Sequence, residues 1–570
     1  MNRFVWLGVI LPTFTLAAGP APKAITSPDG WPMFGGTPAR NMANLSERLM
    51  ALPKSGPEWE GAEGAKKWEA EWVLWKADLG SHTRGSPVVA GGRVYVGTNN
   101  ERPRNRRDIW RGNPLDMGVL VCFDQKTGKF LWQAVHDNLP AGRVSDPPNH
   151  GMTSTPTVIG NRVYYVSNQY RVVCADINGF ADGNQGFQNE KYKDATDADI
   201  IWEFDMIREL NVFPHNTSYC SPLVVGDRVY ACTSNGVDNG HMNRPAPNVP
   251  TLICLDRNTG KLLWKDNSPG KNIFHGQWSS PSYAAEPVPQ VIHGQGDGWL
   301  RAFDPATGKL LWKFDGNQKG AQHELGGTGE KSDFIAAPVV HNGRVYIGTG
   351  QDPEHSTGSA HLWCIDLKKA VERGAEAKDH DVSTDLLVRV EKQPNGEEKA
   401  VTKPNPASAL AWVYGGEEVR KWARRDFKFG CTVSTVAVVE DIVYAAELAG
   451  LVHCLNARTG ELYWQYDTKA AILASPYYVD GKVLVGTDNG DLFVFKHTAK
   501  PMKFDGLEAA QNAPALNAAR KVLKDTRVEI EKEYLLAKIE FPAPICGTPT
   551  VVNGVLYIAT ETTLYSIGKK

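Results

Sequence analysis

The residues best suited to chemistry lie just before recurring pairs of a small residue and proline. Histidine occurs there four times in the first half of the chain, and imidazole is suited to metal binding and to proton transfer near neutral pH. The candidate ligand- or cofactor-binding residues at these places are His82, Arg84, His150, His215, Asn216, His275, Gln277 and Trp278. The later repeats carry mostly Phe429, Ile472 and Ile545 instead.

Two further loops supply polar groups of the same kind. His241 lies in the segment NGVDNGHMNRP, and Glu354 and His355 lie in QDPEH. We expect these groups to surround a funnel with the set above, where a planar ligand would stack on Trp278. The competing interpretation is that they bond only to loop backbone and to one another.

The segment DINGFADGNQG indicates a different chemistry. Asp176, Asn178, Asp182 and Asn184 offer hard oxygen ligands at short alternating spacing, as a Ca²⁺ loop requires. Phe180 stands where such a loop would have a carboxylate. A solvated loop held by Asx turns is therefore the alternative, and any calcium bound here would be structural.

The elements that must position these groups are repeats. A small residue and proline lead into two apolar runs separated by a turn, as in SPVVAGGRVYVGT, and each copy predicts a β-hairpin. A second phrase, as in AFDPATGKLLW, predicts a strand, an Asp and Thr-Gly turn, and a strand with Trp. The eight hairpin copies begin at Ser86, Thr155, Ser221, Ser280, Ala337, Ser434, Ser475 and Thr548.

Together the two phrases predict an all-β fold, an eight-bladed β-propeller of four-stranded antiparallel blades, with strands A to D in each blade. No Trp strand follows the last hairpin, whereas WVLWKADLG precedes the first. We expect this N-terminal strand to complete the last blade and close the ring. The seventh strand D is expected near residues 535–541, with Ala537 at the Trp position. The other Trp residues, Trp132, Trp264, Trp312 and Trp464, are expected to pack against the next blade.

The segments outside the repeats suggest the location of the protein. In residues 1–18 an early Arg3 precedes an uncharged run, which is typical of a secretory signal peptide. We therefore expect a periplasmic or secreted protein. Residues 19–71 form an N-terminal extension, and the propeller is expected over 72–570.

Insertions near residues 179–198, 372–408 and 500–535 interrupt the repeats. The loops joining strands A to B and C to D share one face of a propeller, and these insertions fall there. The second is charged and low in apolar residues, which favours a mobile segment. The third is rich in Ala, Leu, Lys and Glu, which predicts a helix.

Composition excludes several classes of protein. The 570 residues carry 62 basic and 64 acidic side chains, a net charge of −2, which argues against a nucleic-acid partner. Outside the N-terminal run no apolar stretch is long enough to span a membrane. We expect a monomer that binds a small molecule or a protein partner.

The nine cysteines predict neither a disulfide framework nor haem attachment. Five of them occupy one repeat position, where neighbouring blades hold them too far apart for disulfides. A small buried side chain is the expected role, although a bond between Cys220 and Cys232 within one hairpin stays open. The motif CxxCH is absent, so covalent haem is not expected.

The repeats resemble the tryptophan-docking repeats of the pyrroloquinoline quinone (PQQ) propeller superfamily. The pattern A-x-D-x-x-T-G-K-x-x-W is nearly intact at residues 302–312, and the resemblance covers roughly 72–570. That superfamily, which is quinoprotein alcohol dehydrogenase-like, also includes bacterial propellers that bind no quinone. The segments HNTSYCSP, HGQWSSP, GQDPEHSTG and WPMFGG are similar to exported bacterial members without an assigned activity.

The resemblance implies two functions, between which the sequence does not decide. One is an exported binding or scaffold module that uses the His-rich face. The other is a PQQ- and Ca²⁺-dependent dehydrogenase of alcohols or sugars, for which the resemblance implies Asp297 as the catalytic residue. Asp-Gly at that place is also an ordinary hairpin turn. A planar cavity beside Trp278, a carboxylate–amide cage for Ca²⁺ and an Arg above it would favour the dehydrogenase.

Overall fold

The computed structural model describes residues 30–49, 51–56, 62–139, 148–326, 329–350, 358–394, 398–420, 425–501 and 527–569. Eight antiparallel sheets of four strands follow one another along the chain. Two of these sheets gain one short strand from the N-terminal segment. The predicted eight-bladed propeller is confirmed. The predicted signal peptide lies outside the described residues.

The blades are numbered from 1 to 8 in the order of their strands A. Strands A to D of blade 1 are Val88–Ala90, Arg93–Asn99, Met117–Asp124 and Phe130–Asp137, and those of blade 2 are Thr157–Ile159, Arg162–Val166, Arg171–Asp176 and Ile200–Asp205. Those of blade 3 are Leu223–Val225, Arg228–Cys232, Leu252–Asp256 and Leu262–Asp266, and those of blade 4 are Ser282–Ala284, Gln290–Gly294, Trp299–Phe303 and Leu310–Asp315. Those of blade 5 are Val339–His341, Arg344–Gly348, His361–Asp366 and Leu410–Gly415, and those of blade 6 are Ala437–Val439, Ile442–Ala446, Leu451–Asn456 and Leu462–Asp467. Those of blade 7 are Tyr477–Val479, Lys482–Gly486, Asp491–Lys496 and Leu535–Glu540, and those of blade 8 are Thr550–Val552, Val555–Ala559, Thr563–Ile567 and Val73–Asp78.

The ring closes as the sequence predicts. Strand Val73–Asp78 pairs antiparallel with Thr563–Ile567, so the N-terminal strand is strand D of blade 8. In blade 7, Ala537 lies opposite Val494, the position that Trp464 takes opposite Cys454 in blade 6. Both predictions are confirmed, and blade 8 has four strands like the other blades.

Tryptophan side chains join neighbouring blades. Trp264 of blade 3 donates from Nε1 to the Pro305 carbonyl, 3.0 Å away, in the Thr-Gly turn of blade 4. Gly308 of that turn has φ +71°, and a Cβ there would lie 2.7 Å from the Trp264 ring. The turn thus needs glycine both for its left-handed backbone and for ring contact. The cysteines of the repeat position are buried and free, as expected.

The insertion of blade 5 contains regular secondary structure in its described part, which the sequence analysis did not predict. It forms the helix Leu367–Glu376 and the hairpin of Asp385–Lys392 with Glu398–Pro404. Leu367 and Ala370 belong to the buried cluster around Trp312. A few apolar residues at helical spacing therefore hold a segment whose overall composition is polar.

The remaining elements lie in connections. Residues 527–533 of the third insertion are helical, as predicted, and residues 502–526 lie outside the described part. None of the helices in the described residues is long and apolar enough to cross a membrane. The other elements are the helices Ala62–Trp72 and Met206–Leu210, the short strands Gly30–Trp31, Ala43–Asn44, Ile109–Trp110, Asn113–Pro114, Glu417–Arg420 and Arg425–Phe427, and the 3₁₀ turns Arg106–Asp108, Gly179–Asp182, Gly270–Asn272 and Lys378–His380.

Residues 30–49, here called the plug, follow the inner edges of strands A around the ring. Gly30–Trp31 pairs with strand A of blade 1, and Ala43–Asn44 pairs with strand A of blade 7. Between these ends, plug carbonyls accept amides from blades 2, 4, 5 and 7 at 2.8–3.0 Å. The acceptors are Pro32, Pro38, Ala39 and Met42. The plug therefore satisfies the backbone groups that the innermost strands would leave open.

Arg40 anchors the plug at the centre of the ring. Its side chain is fully buried and donates to the carbonyls of Phe34, Ser221 and Pro281 at 2.9–3.0 Å. Burial lowers the pKa of Arg40 to about 10, so it stays cationic at neutral pH. One buried cation thereby joins the plug to the strands A of blades 3 and 4.

Candidate functional site

A cavity of about 880 Å³ lies at the propeller axis on the face formed by the D–A and B–C loops. We call it the funnel cavity. Phe34 of the plug contributes to its lining, and so do the small residues at the start of each hairpin, which precede proline in every blade except blade 6. The axis is therefore open on one side and blocked by the plug on the other. The volume is within the range of sites for small ligands.

The small residues around the cavity form a hydrogen-bonded ring. In six of the eight steps, the amide of one blade donates to the side-chain hydroxyl of the next at 2.9–3.0 Å. Ala337 is the member without a hydroxyl. Since a hydroxyl also carries a hydrogen of its own to donate, the ring offers polar groups to the cavity. Its members are Ser86, Thr155, Ser221, Ser280, Ala337, Thr435, Ser475 and Thr548.

One side of the funnel cavity carries charged and aromatic groups. Arg84, His150, Asn216 and Trp278, all predicted from the sequence, line it together with Tyr219. Arg84 lies 3.3 Å from a carboxylate oxygen of Glu561, which holds the guanidinium in the wall. A cation, an amide and aromatic rings thus lie around one part of the cavity.

His150 is a neutral hydrogen-bonding group in this wall. Burial, the Arg84 charge and His82 lower the pKa of His150 to about 4. Its Nε2 lies 3.2 Å from the hydroxyl of Tyr219, and its ring centre is 5.7 Å from that of His82. At neutral pH this imidazole therefore serves as a hydrogen-bond donor and acceptor and carries no charge.

Behind Trp278 lies a second group, the three-histidine cluster of His215, His241 and His275. Their ring centres are 4.3–4.9 Å apart, and the ligand nitrogens all lie within 4.8 Å of one another. The Nε2 atoms of His241 and His275 are 3.2 Å apart. The Trp278 ring contacts His215 and His275 at centre distances of 6.3 and 5.3 Å, so it separates the cluster from the cavity.

Backbone contacts bring the three loops of the cluster together. His215 leads into blade 3, His275 leads into blade 4, and His241 lies in the B–C loop of blade 3. Within that loop, Val237 donates from its amide to the His275 carbonyl at 2.8 Å. A Cβ on Gly236 would lie 2.5 Å from the same carbonyl, so glycine permits this close approach.

The backbone around the cluster has an uncommon conformation. Asn216, Ser234 and His241 have φ values of 56°, 59° and 56°, which few residues other than glycine adopt. Asp238 holds the tip of the loop, because its Oδ1 accepts the amides of Met242 and Asn243 at 2.9 and 3.1 Å. Such conformations concentrate at functional sites.

The remaining predicted residues of this face take other places. Gln277 is buried, and its Nε2 donates to the Asn235 carbonyl at 3.1 Å, so its binding role stays a prediction. Glu354 and His355 lie outside the described residues. Asp297 is in the turn before strand C of blade 4 and forms an ion pair of 2.7 Å with Arg301. A catalytic role of Asp297 stays a prediction.

The predicted calcium residues lie at the opposite face of blade 2. Asp176 pairs with Arg162 and accepts the Asn178 amide at 2.8 Å in an Asx turn. Asn178 donates to Asp182 at 2.9 Å, whereas Asn184 donates to the Phe187 carbonyl at 2.8 Å. These bonds are those of a loop held by its own side chains. Calcium binding here stays a prediction.

The sequence argument missed three contributors to the cavity. They are the hydroxyl ring, Tyr219 and the plug residue Phe34. The ring had a visible signal, because Ser or Thr precedes proline in most copies of the hairpin. Tyr219 also had one, because it lies two residues before Ser221, the position that Arg84 and Trp278 take in their repeats. Phe34 had none, since it lies outside the repeats.

The comparisons with known proteins bear on this geometry. The sequence profile of the family described as outer membrane protein assembly factor BamB matches residues 58–181, 191–393 and 401–528. These ranges include most of the chain. This protein belongs to that PQQ-repeat propeller family. The predicted relationship to the PQQ-like superfamily is thereby confirmed.

Relatives of this PQQ-repeat protein carry different names. Tetrathionate hydrolase of Acidithiobacillus ferrooxidans is 24% identical over 392 residues, 61% of this chain and 73% of the relative. The assembly factor BamB of Moranella endobia is 23% identical over 427 residues, 74% of this chain and 88% of the relative. Because a hydrolase and an assembly factor are both similar, the family alone does not assign a function.

Among solved structures, a europium-containing methanol dehydrogenase superimposes with a TM-score of 0.50 at 12% identity. The match covers 94% of this chain and 89% of that one. At this identity the likeness concerns the fold alone. The function of this PQQ-repeat protein has to be argued from its own cavity and side chains.

Proposed function

We propose that this protein is an exported, monomeric binding module that takes a small polar ligand with an anionic group into the funnel cavity. The observation that carries the proposal is the cavity itself, about 880 Å³ with Arg84, His150 and Tyr219 in one wall. Concave sites with a few converging polar groups are the usual form of small-molecule sites. A protein partner docking on the same face is the broader form of the proposal.

Each group in the wall has a role in this proposal. Arg84 supplies a cationic fork of N–H donors, which suits a carboxylate or another oxyanion. Neutral His150 and the Tyr219 hydroxyl supply hydrogen bonds, and the hydroxyl ring holds further polar groups of the ligand. Trp278 gives the wall an apolar surface. The ligand class is thus a compact oxyanion with additional hydrogen-bonding groups.

A quinoprotein dehydrogenase is the second candidate, because Trp278 and an arginine line the same cavity. A cavity lies beside Trp278, and Arg84 is in its wall. The calcium cage does not fit, since Asp488 is the one carboxylate among the described residues that line the cavity. Calcium takes six to eight oxygen ligands, with carboxylates among them. No reaction step that uses PQQ and calcium is therefore assigned to this cavity.

Calorimetric titration of the purified chain tests the proposal. The probes are PQQ with and without Ca²⁺, tetrathionate, and glycerol as an uncharged compound. We expect one-to-one binding of an anionic probe and no binding of glycerol. Arg84→Gln should weaken binding about 10- to 150-fold, because a charge-assisted hydrogen bond contributes roughly 1.5–3 kcal/mol. Lys126→Gln, at the opposite face, is the matched control and should have no effect.

A second variant tests the cavity without touching its charged wall. Ala471 lines the cavity and is half-buried, so Ala471→Trp narrows the space and leaves the blades intact. This change should abolish binding of the anionic probe. Binding that persists in both Arg84→Gln and Ala471→Trp would contradict the proposal. Binding of PQQ only with Ca²⁺, with alcohol-dependent reduction of a dye, would establish the dehydrogenase instead.

A further inference from the structure

We propose that the three-histidine cluster binds one divalent transition-metal ion, and that Zn²⁺ suits it best. His215, His241 and His275 come from three loops of two blades, and their ligand nitrogens lie within 4.8 Å of one another. His215 and His275 are buried, and His241 is partly exposed, which leaves a path for the ion. The site is distinct from the funnel cavity, so it goes beyond the proposed function.

One pair of nitrogens already has the spacing that a shared ion requires. Zinc binds histidine nitrogens at about 2.0–2.1 Å in a tetrahedral arrangement, which places two such nitrogens about 3.3 Å apart. The Nε2 atoms of His241 and His275 are 3.2 Å apart. The His215 ring centre is 4.3 Å from that of His275 and 4.9 Å from that of His241. A small rotation of the rings completes the set.

A hydrogen bond of His215 sets its tautomer for metal binding. Its Nδ1 lies 2.9 Å from the carbonyl oxygen of Val237. Because a carbonyl oxygen only accepts, Nδ1 carries the hydrogen and the lone pair of the ring is on Nε2. Histidine ligands of metals commonly donate their other nitrogen to a carbonyl or carboxylate in this way. The support of this ligand is therefore built into the loop.

The ligand type selects the class of ion. Imidazole suits Zn²⁺, Cu²⁺ and Ni²⁺, whereas Ca²⁺ and Mg²⁺ prefer oxygen ligands. A tetrahedral ion takes four ligands, and the described residues supply three of them. Trp278 covers one side of the cluster and limits its contact with the funnel cavity.

Metal titration of the full chain, purified without a polyhistidine tag and stripped with a chelator, tests this proposal. Zn²⁺ is added in competition with a chromophoric chelator, and Co²⁺ binding is followed by visible absorption. We expect one ion per chain and the intense bands of four-coordinate Co²⁺. His241→Ala should weaken Zn²⁺ binding on the order of 100-fold, because it removes a direct ligand from a loop.

The matched control is His150→Ala, which removes another histidine from the same face. Its Zn²⁺ affinity should equal that of the native chain, and His241→Ala should keep the native unfolding midpoint in chelator. Absence of stoichiometric Zn²⁺ binding by the folded chain would overturn the proposal. Equal losses in both variants, or weak Co²⁺ bands that His241→Ala leaves unchanged, would also overturn it. Anion binding to His241→Ala should be native, which separates this test from that of the funnel cavity.

Discussion

The two halves of the ring use the approach to strand A in different ways. In blades 1 to 4 this connection carries His82, His150, His215 and His275. In blades 6 to 8 the corresponding connections carry Phe429, Ile472 and Ile545, and each of these three side chains is fully buried. The strands that follow are alike in both halves, with three-residue strands A paired to strands B of similar length.

The difference shows how one repeated frame serves two purposes. In the second half, the apolar side chains fill the space between blades and contribute to the core. In the first half, the connections that lead into strand A carry imidazoles instead, which lie beside the funnel cavity or belong to the three-histidine cluster. Buried apolar side chains and clustered imidazoles therefore lie on opposite sides of one axis, on blades of the same construction.

The largest expected effect is a loss of stability caused by a substitution on the apolar side of the ring. Phe429→Ala should lower the free energy of unfolding by about 3–5 kcal/mol, because it leaves a cavity in a buried cluster. His241→Ala should change it by less than about 0.5 kcal/mol, since the side chain is partly exposed in a loop. Denaturant unfolding at neutral pH in a chelator measures both.

The same two variants should affect metal binding in the reverse order of their effects on stability. Phe429→Ala should keep the Zn²⁺ affinity of the native chain, while His241→Ala loses it. If Phe429→Ala disturbed metal binding as strongly as stability, the two halves would be coupled and the division drawn above would fail.

Acid should destabilise the protein through histidines of the first half. Burial is the main cause that lowers the pKa values of His136, His150 and His293 to about 4. In the unfolded chain a histidine titrates near 6.5. Between these values the unfolded chain binds more protons, so stability is complete above about pH 6.5 and falls toward pH 4. The slope is about 1.4 kcal/mol per pH unit for each histidine.

Unfolding curves between pH 7 and 4 measure this slope. His136→Gln and His293→Gln replace two of the three groups by side chains that retain a hydrogen-bond donor for Tyr165 and the Ser279 carbonyl. The double variant should lose stability with acid less steeply than the native chain. Parallel curves for the two proteins would show that other groups control the acid response.

The smallest effect should be the same in both halves. Asp124 of blade 1 accepts the Thr127 amide at 2.8 Å, and Asn456 of blade 6 accepts the Thr459 amide at 3.0 Å. Replacing either residue by Ala should cost about 1 kcal/mol of unfolding free energy, the usual net value of such bonds. Denaturant midpoints compare the two variants. A clearly larger loss in one half would mean that the turns, too, are specialised.

Much of the frame was predictable because the repeat is periodic. The alternation of apolar residues identified the hairpins, and the missing last Trp strand predicted that Val73–Asp78 closes the ring. Even Ala537 at a Trp position followed from counting along the repeat. Local strand pairing depends on neighbouring residues, so a repeated pattern is sufficient to specify it. The helix and the hairpin near residues 372–408 were not predicted, because Leu367 and Ala370, which anchor the helix, lie before that range.

The site was only partly predictable. The sequence identified Arg84, His150, Asn216 and Trp278 as residues of one face, and they line one cavity. It also selected His215, His241 and His275, yet nothing in their spacing separated them from the other histidines. The calcium residues and Asp297 matched local patterns that an Asx turn and an ion pair also explain.

The sequence by itself thus determined the number of blades, their strands, the closure of the ring and the face that carries the polar loops. The tertiary structure decided that residues 30–49 block the axis, that Trp278 divides the histidines into two groups, and that three of them converge. The physical reason is the range of the interactions. Repeats encode contacts between neighbouring strands, whereas loops of different blades meet only after the ring has closed, through hydrogen bonds between segments far apart in the chain.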